Sequence, residues 1–245
     1  MASYNDFAQV YDLLTQNIDY HQRACYFDEL IHRYTKNRGI LLDLACGTGS
    51  LSEEFASLGY DVIGVDSSED MLNQAMEKKY HSGSDIIYLC QKMQDLDLYG
   101  TIDVTICALD SINHVTDPAI LQDSLCKISL FTNPGGLFLF DANTPYKHRH
   151  VLANNSFIYD YDDVYLAWQN ETNDNLTTIN IDIFTQNENG TYSRSEECFC
   201  ERAYSSEEFA QMLKGAGFKL LAIYDEDSFQ PPKDTSQRLI YVAQK

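Results

Sequence analysis

Positive charge is scarce in this chain. Lys and Arg number 17 against 37 Asp and Glu, a formal net charge of −20 over 245 residues. Affinity for phosphate backbones and anionic lipid rests on Lys and Arg, so this balance argues against a nucleic-acid or membrane-surface partner. The one dense basic stretch is Lys147-His148-Arg149-His150. The chain also lacks an apolar run long enough to span a bilayer, and it lacks a charged-then-apolar leader. A cytoplasmic protein is the resulting expectation. A disulfide framework is missing as well. The cysteines are seven, irregularly spaced, and several fall in apolar strand-like runs. Cys198 and Cys200 set two thiols on one strand face. Without a second pair or a nearby His, packing explains them better than a metal site, and no metal is expected.

What is present is a rhythm of helices and strands. Phe7, Val10, Tyr11 and Leu14 recur at helical spacing, and Tyr26, Phe27, Leu30, Ile31 and Tyr34 mark a second helix over 20–35. Apolar strands follow at 40–45, 61–66, 86–90, 102–108 and 137–141. Helices separate them, opened by Ser67-Ser68-Glu69-Asp70 and by Asp117-Pro118. Asn133-Pro134-Gly135-Gly136 breaks the chain before the fifth strand. Near-continuous apolar strands alternating with helices predict a doubly wound, mostly parallel α/β sheet. The rhythm changes after strand five. Runs at 157–170, 177–186 and 191–203, divided by Asn173-Asp174-Asn175 and Asn189-Gly190, read as a three-stranded antiparallel meander. A helix from Ser205 and strands at 218–224 and 238–243 complete the chain. The organisation expected is an N-terminal helical segment (1–38), an α/β domain (39–145 and 204–245) and an inserted β-subdomain (146–203).

The chemistry concentrates after the first strand, in Asp43-Leu44-Ala45-Cys46-Gly47-Thr48-Gly49-Ser50-Leu51. Small residues at 45, 47 and 49 let a ligand approach the backbone, and the helix beyond offers unpaired N–H groups. The dinucleotide fingerprint G-x-G-x-x-G is absent. Asp43, two residues before Ala45, repels phosphate and suits a ligand carrying a carboxylate and an ammonium group. Asp66 ends strand two, where an acid accepts hydrogen bonds from ribose hydroxyls. Nicotinamide-dependent proteins share such an acid, so Asp66 alone does not choose between cofactors.

This stretch resembles motif I of the class I, Rossmann-like S-adenosylmethionine-dependent methyltransferases, in the bacterial type with an inserted β-subdomain. Ala45 stands where that family has its first glycine. The resemblance implies a seven-stranded sheet, with Asp43, Ala45, Gly47 and Gly49 on the methionine part of S-adenosyl-L-methionine. It implies Asp66 on the ribose, Met71 and Met93 on the faces of the adenine, and Asp95 on its exocyclic amine. Leu109 and its neighbours Asp110, Asn113 and His114 would border the methyl group and the acceptor. Two motifs of base-modifying relatives are missing at that strand tip: the Asn/Asp-Pro-Pro-aromatic tetrad and the Pro-Cys nucleophile. Cys107 should point into the sheet. The N-terminal pattern around Tyr4, Phe7, Tyr11, Asp12, Tyr20 and His21 resembles a lid, with Tyr11 and Tyr20 closing over the cofactor. The meander resembles the inserted subdomain of small-molecule methyltransferases related to glycine N-methyltransferase, and Tyr146, Tyr159, Tyr161, Tyr165 and Trp168 either line an acceptor site or pack the sheet.

The function expected is methyl transfer from S-adenosyl-L-methionine to a small or medium acceptor, with His114 and Tyr11 as candidate catalytic residues. An RNA acceptor, a non-catalytic cofactor-binding module and a nicotinamide-dependent oxidoreductase are the alternatives. Acceptor identity and oligomeric state are not written in the sequence.

Overall fold

The computed structural model of the chain describes residues 5–36 and 38–245; Tyr4 lies outside them. Its centre is a seven-stranded sheet. β1 (Ile40–Leu44), β2 (Asp61–Asp66), β3 (Ile87–Cys90), β4 (Ile102–Cys107) and β5 (Thr132–Asn143) run parallel. β10 (Lys219–Asp225) and β11 (Arg238–Gln244) close one edge antiparallel. The spatial order is β10-β11-β5-β4-β1-β2-β3. β1 and β4 are therefore neighbours where the winding reverses, and a crevice opens beyond their carboxyl ends.

Both faces of the sheet are covered, so β1 is buried on both sides. Leu42 and Leu44 join a core with Leu121, Leu125, Phe140 and Tyr241, while Leu41 joins the opposite one with Phe27, Ile31 and Phe55. The first core lies under α5 (Pro118–Phe131) and α6 (Ser206–Gly215), the second under α2 (Tyr20–Tyr34) and α3 (Ser50–Ser57). The helix starts are those the sequence signals. Asp117 accepts the Ala119 N–H ahead of Pro118, and Ser205 with Glu208 forms a reciprocal capping box. α4 (Glu69–Ser82) is capped by Ser68, which accepts the Met71 N–H.

The insertion differs from the expected meander. It is a four-stranded antiparallel sheet of β6 (Ser156–Asp160), β7 (Val164–Asn173), β8 (Leu176–Gln186) and β9 (Tyr192–Arg202). The run 157–170 folds back on itself between Tyr161 and Val164, where their backbones exchange hydrogen bonds around Asp162 and Asp163. A short helical segment, Pro145–Lys147, runs on into a π-helical turn, His148–Leu152, and leads into it. Residues 132–136 belong to β5: the pairing with β4 shifts between Ile102 and Val104 and takes up the Pro-Gly-Gly as a bulge. Cys198 and Cys200 are exposed, not packed, because strand alternation turns Glu197, Phe199 and Glu201 inward instead. Cys107 is the buried cysteine.

α1 (Asn5–Leu14) packs on the inner face of the insertion, where Val10 joins Val164, Leu166, Ile179, Ile181 and Ile183. Among the described residues, no helix is long and apolar enough to cross a membrane.

Candidate active site

A cavity of about 720 Å³ opens where the carboxyl ends of β1, β2 and β4 meet the inner face of the insertion, with α1 above it. Its first wall is built from backbone turns. Ala45, Gly47 and Gly49 all have positive φ, at 60°, 54° and 73°. A Cβ on Gly47 would meet nothing within 4 Å, so this residue presents bare backbone to open space. Gly49 serves a different purpose. A Cβ there would stand 2.4 Å from the Tyr88 hydroxyl, so the glycine lets α3 start hard against β3. Asp66 fastens the corner: its two oxygens accept the N–H of Gly47 (2.9 Å) and of Ser68 (2.8 Å). Burial raises the Asp66 pKa, and those same bonds oppose the rise. Met71, Met93 and Leu109 line the same cavity, as do Gln91, Lys92 and Gln94. Leu109 and Asp110 follow β4 in the left-handed region, at φ 58° and 52°.

Three other expected residues stand outside the cavity lining with Gly49. Asp43 is 2% exposed beneath the glycine corner and accepts the Ser52 hydroxyl at 2.5 Å. Burial pushes its carboxyl up to about 7. Tyr20 donates to Thr15 Oγ1 at 3.1 Å and packs with the core around α2. Asp95 ends a 3₁₀ turn and is exposed.

α1 is tied to the glycine corner by a polar clasp. Lys78 Nζ on α4 lies 2.6 Å from Asp12 Oδ2 and donates to Thr48 Oγ1 and Ser50 Oγ at 2.9 and 2.6 Å. The Thr48 hydroxyl donates to Asp12 Oδ1 at 2.6 Å. Tyr11 of the same helix lines the cavity, and burial raises its hydroxyl pKa.

The second wall consists of side chains. The insertion offers Tyr159, Leu166, Trp168, Ile181, Phe199 and Glu201. Tyr165 is exposed, Tyr161 stacks on Tyr159, and Tyr146 stacks on His150 away from the main cavity. His114 faces Phe199 with ring centres 5.0 Å apart. Its side chain is 45% exposed but sits in a concave wall, and desolvation there lowers its pKa against the pull of Asp110 and Asp66. Asn113 is buried instead, binding the backbone carbonyls of Asn143 and Arg202. The basic stretch is divided: Lys147 lines the cavity, His148 is fully buried, and Arg149 and His150 are exposed.

Sequence reasoning missed the charged cluster under this wall. Arg23 Nη1 on α2 reaches Asp141 Oδ2 at 2.8 Å, and its Nη2 reaches Glu226 at 3.1 Å and Asp227 at 3.5 Å. Arg238 Nη1 on β11 donates to Asp110 Oδ1 (3.0 Å) and Asp141 Oδ2 (3.3 Å), and its Nε lies 3.0 Å from Glu226 Oε1 as an ion pair. Burial pushes the Asp110 pKa upward, but the charges of Arg238 and Lys147 overcome it and hold the carboxyl well below the usual range. The groups come from α2, β5, β11 and the segments that follow β4 and β10, so no local motif announces them. The available signal was an Arg on an otherwise apolar helix face and a charge at the end of each buried strand.

Comparison with known proteins places this architecture. Residues 41–136 match a family described as a methyltransferase domain. An S-adenosylmethionine-dependent methyltransferase from Clostridium acetobutylicum ATCC 824 superposes with a TM-score of 0.90 at 32% identity, covering 98% of each chain. The protein YqeM of Bacillus subtilis (strain 168), a methyltransferase by provisional name, is 31% identical over 99% of this chain and 97% of its own. A ubiquinone biosynthesis O-methyltransferase of Colwellia psychrerythraea is 35% identical over 46% of this chain and 45% of its own. Together with the doubly wound sheet and the glycine corner at its switch point, these full-length likenesses make the chain a member of the class I, Rossmann-like S-adenosylmethionine-dependent methyltransferases, an enzyme whose methyl donor is S-adenosyl-L-methionine.

Proposed function

We propose that the backbone-built wall holds the donor and the side-chain wall holds a small or medium acceptor. One observation carries this reading: a single cavity runs from the glycine corner to the inner face of the insertion. The residues fit the donor. Bare backbone at Gly47 leaves room for close approach. Asp66 accepts two N–H bonds and keeps lone-pair capacity for ribose hydroxyls. Met71 and Met93 supply apolar contact for the adenine, and Gln91 to Gln94 supply polar groups beside it. Asp43 supports the corner through Ser52, and Tyr20 supports the lid through Thr15.

The sulfonium supplies an electrophilic methyl group and a neutral leaving group. The protein contributes position and dryness: Tyr11 and Phe7 on α1 cover the cavity from above, and Tyr159, Trp168 and Phe199 face it from the insertion. His114 and Tyr11 remain the groups placed to touch the acceptor. The RNA alternative loses support, because the basic stretch points two of its four side chains inward.

Thermal shift with S-adenosylhomocysteine tests the donor site. A ligand at a hundred times its dissociation constant stabilises by about 2.7 kcal/mol, which a melt resolves easily. Stabilisation by S-adenosylhomocysteine and none by NADH is expected; the reverse would overturn the assignment of this wall.

A further inference from the structure

The acceptor wall contains a carboxylate without a matching cation. Glu201 on β9 is 3% exposed and lines the cavity. Asn143 Nδ2 donates to its Oε2 at 3.2 Å. Among the described residues, no Lys or Arg nitrogen lies within 4 Å of it. Its ionisable neighbours at that range are imidazoles, His148 Nε2 at 3.5 Å and His114 Nε2 at 3.9 Å. Burial drives both toward the neutral form, lowering His114 and taking His148 down to about 4.

Every other carboxylate of the cluster is matched. Asp141 has Arg23 and Arg238, Asp110 has Arg238, and Glu226 has both arginines. Lys147 Nζ donates to Asn143 Oδ1 at 2.9 Å instead of reaching Glu201. Asp110, Asp141, Glu226 and Asp227 thus each have Arg23 or Arg238 within 4 Å, whereas Glu201, on the cavity wall, has neither. A buried carboxylate without a partner is costly. Burial and the charge of Asp110 accordingly raise Glu201 to about 7, while Asn143, Lys147 and Arg238 pull it back. Tyr159, Trp168 and Phe199 line the same chamber, and aromatic faces attract cations.

We propose that the acceptor is an amine that enters as its ammonium ion, and that Glu201 is the carboxylate that receives it and takes its proton. This rests on the methyl-transfer reading of the cleft. One N–H bond breaks, the proton passes to Glu201 Oε1, and the bond pair stays on nitrogen as a lone pair, leaving a neutral amine nucleophile and a protonated carboxyl. An anionic acceptor would be repelled here, and an alcohol is far too weak an acid to yield its proton to a carboxylate. His148 stands behind Glu201 as a positioning residue. Its Nε2 is buried without a hydrogen-bond partner and its Nδ1 meets the Thr177 hydroxyl at 2.9 Å. That hydroxyl serves either imidazole tautomer, so His148 can face Glu201 in both of its protonation states.

The test uses three probes of one shape: cyclohexylamine, cyclohexanol and cyclohexanecarboxylate, titrated into S-adenosylhomocysteine-loaded protein and followed by NMR shifts. Cyclohexylamine should bind at least ten-fold tighter than the others at pH 7.5. Its affinity should rise from pH 6 to 8, as Glu201 ionises amid Asp110, Lys147, Arg238, His114 and His148. Glu201→Gln should abolish both the preference and the rise; Lys147→Met should keep the rise. Equal binding of the alcohol or the acid, a preference that survives in Glu201→Gln, or a pH rise lost in Lys147→Met would overturn the proposal. The wild-type pH series needs no variant to fold. Failure of S-adenosylhomocysteine to bind would strike the donor reading, whereas its binding without any amine preference would strike this inference alone.

Discussion

The wall proposed for the donor is made of backbone turns at neighbouring strand tips, whereas the wall proposed for the acceptor is made of charged and aromatic side chains drawn from distant parts of the chain. In the first, Ala45, Gly47, Leu109 and Asp110 hold positive φ, and the Asp66 carboxylate accepts the backbone N–H of Gly47 and of Ser68. In the second, Arg23 from α2 and Arg238 from β11 must both reach Asp141, and Arg238 must also reach Asp110, before the cluster is neutralised. A backbone-built site tolerates change in most of its side chains. A charge-built site fails when one member is removed, because the others are left buried and unpaired.

Removing Arg238 breaks the acceptor wall hardest. Arg238→Met strands Asp110 and leaves Asp141 to Arg23 alone, and a loss of about 3–5 kcal/mol in unfolding free energy is expected, measured by urea denaturation. A loss under about 1 kcal/mol would show the cluster to be loosely held and solvated. Two buried groups, Asp43 beneath the glycine corner and His148 behind Glu201, lean opposite ways with pH. Asp43 has its folded pKa raised to about 7, so the folded state binds more protons than the unfolded one, and stability is lost as pH rises from about 4 to 7. His148 has its folded pKa lowered to about 4, so its contribution is present above about 6.5 and lost as pH falls toward 4. Asp43→Asn should therefore gain on the wild type as pH rises, and His148→Gln should gain on it as pH falls, each by on the order of 3 kcal/mol across its window. Melting curves at pH 5 and 8 check the signs. Parallel shifts in both variants would remove the contrast.

Asp66→Ala tests the donor wall directly. A hydrogen bond to a charged group contributes about 1.5–3 kcal/mol, so S-adenosylhomocysteine affinity should fall roughly ten- to a hundred-fold by calorimetry. The smallest effect belongs to the clasp of α1. Lys78→Met removes a half-exposed ion pair and two hydrogen bonds, a change of about 1 kcal/mol. It should appear as a several-fold faster release of S-adenosylhomocysteine with little change in melting temperature.

The same contrast explains what could be read from the sequence. The glycine corner was legible because its constraint is local: small residues at 45, 47 and 49 are needed whatever surrounds them. Asp66 was legible by its place at a strand end. Tyr20 and Asp95, expected at the cofactor from the family resemblance, stand outside the cavity lining, Tyr20 bonded to Thr15 and Asp95 exposed. Glu201 and Arg238 were not legible at all. Each sits at one end of a strand and meets groups from other elements, His114 and His148 for Glu201 and Asp110, Asp141 and Glu226 for Arg238, and nothing in the neighbouring residues announces burial. His148 was misread as part of a basic patch because a π-helical turn, which no residue pattern signalled, rotates it into the core.

α1 also has a kinetic meaning. Its Val10 is part of the insertion's own hydrophobic cluster, and its Asp12 is held at the glycine corner. The helix cannot swing away from one wall while resting on the other: lifting it breaks the clasp and bares Val164, Leu166 and Ile183 together. Were donor and products to pass beneath this helix, turnover at saturating substrates would track how fast it detaches rather than how fast the methyl group moves.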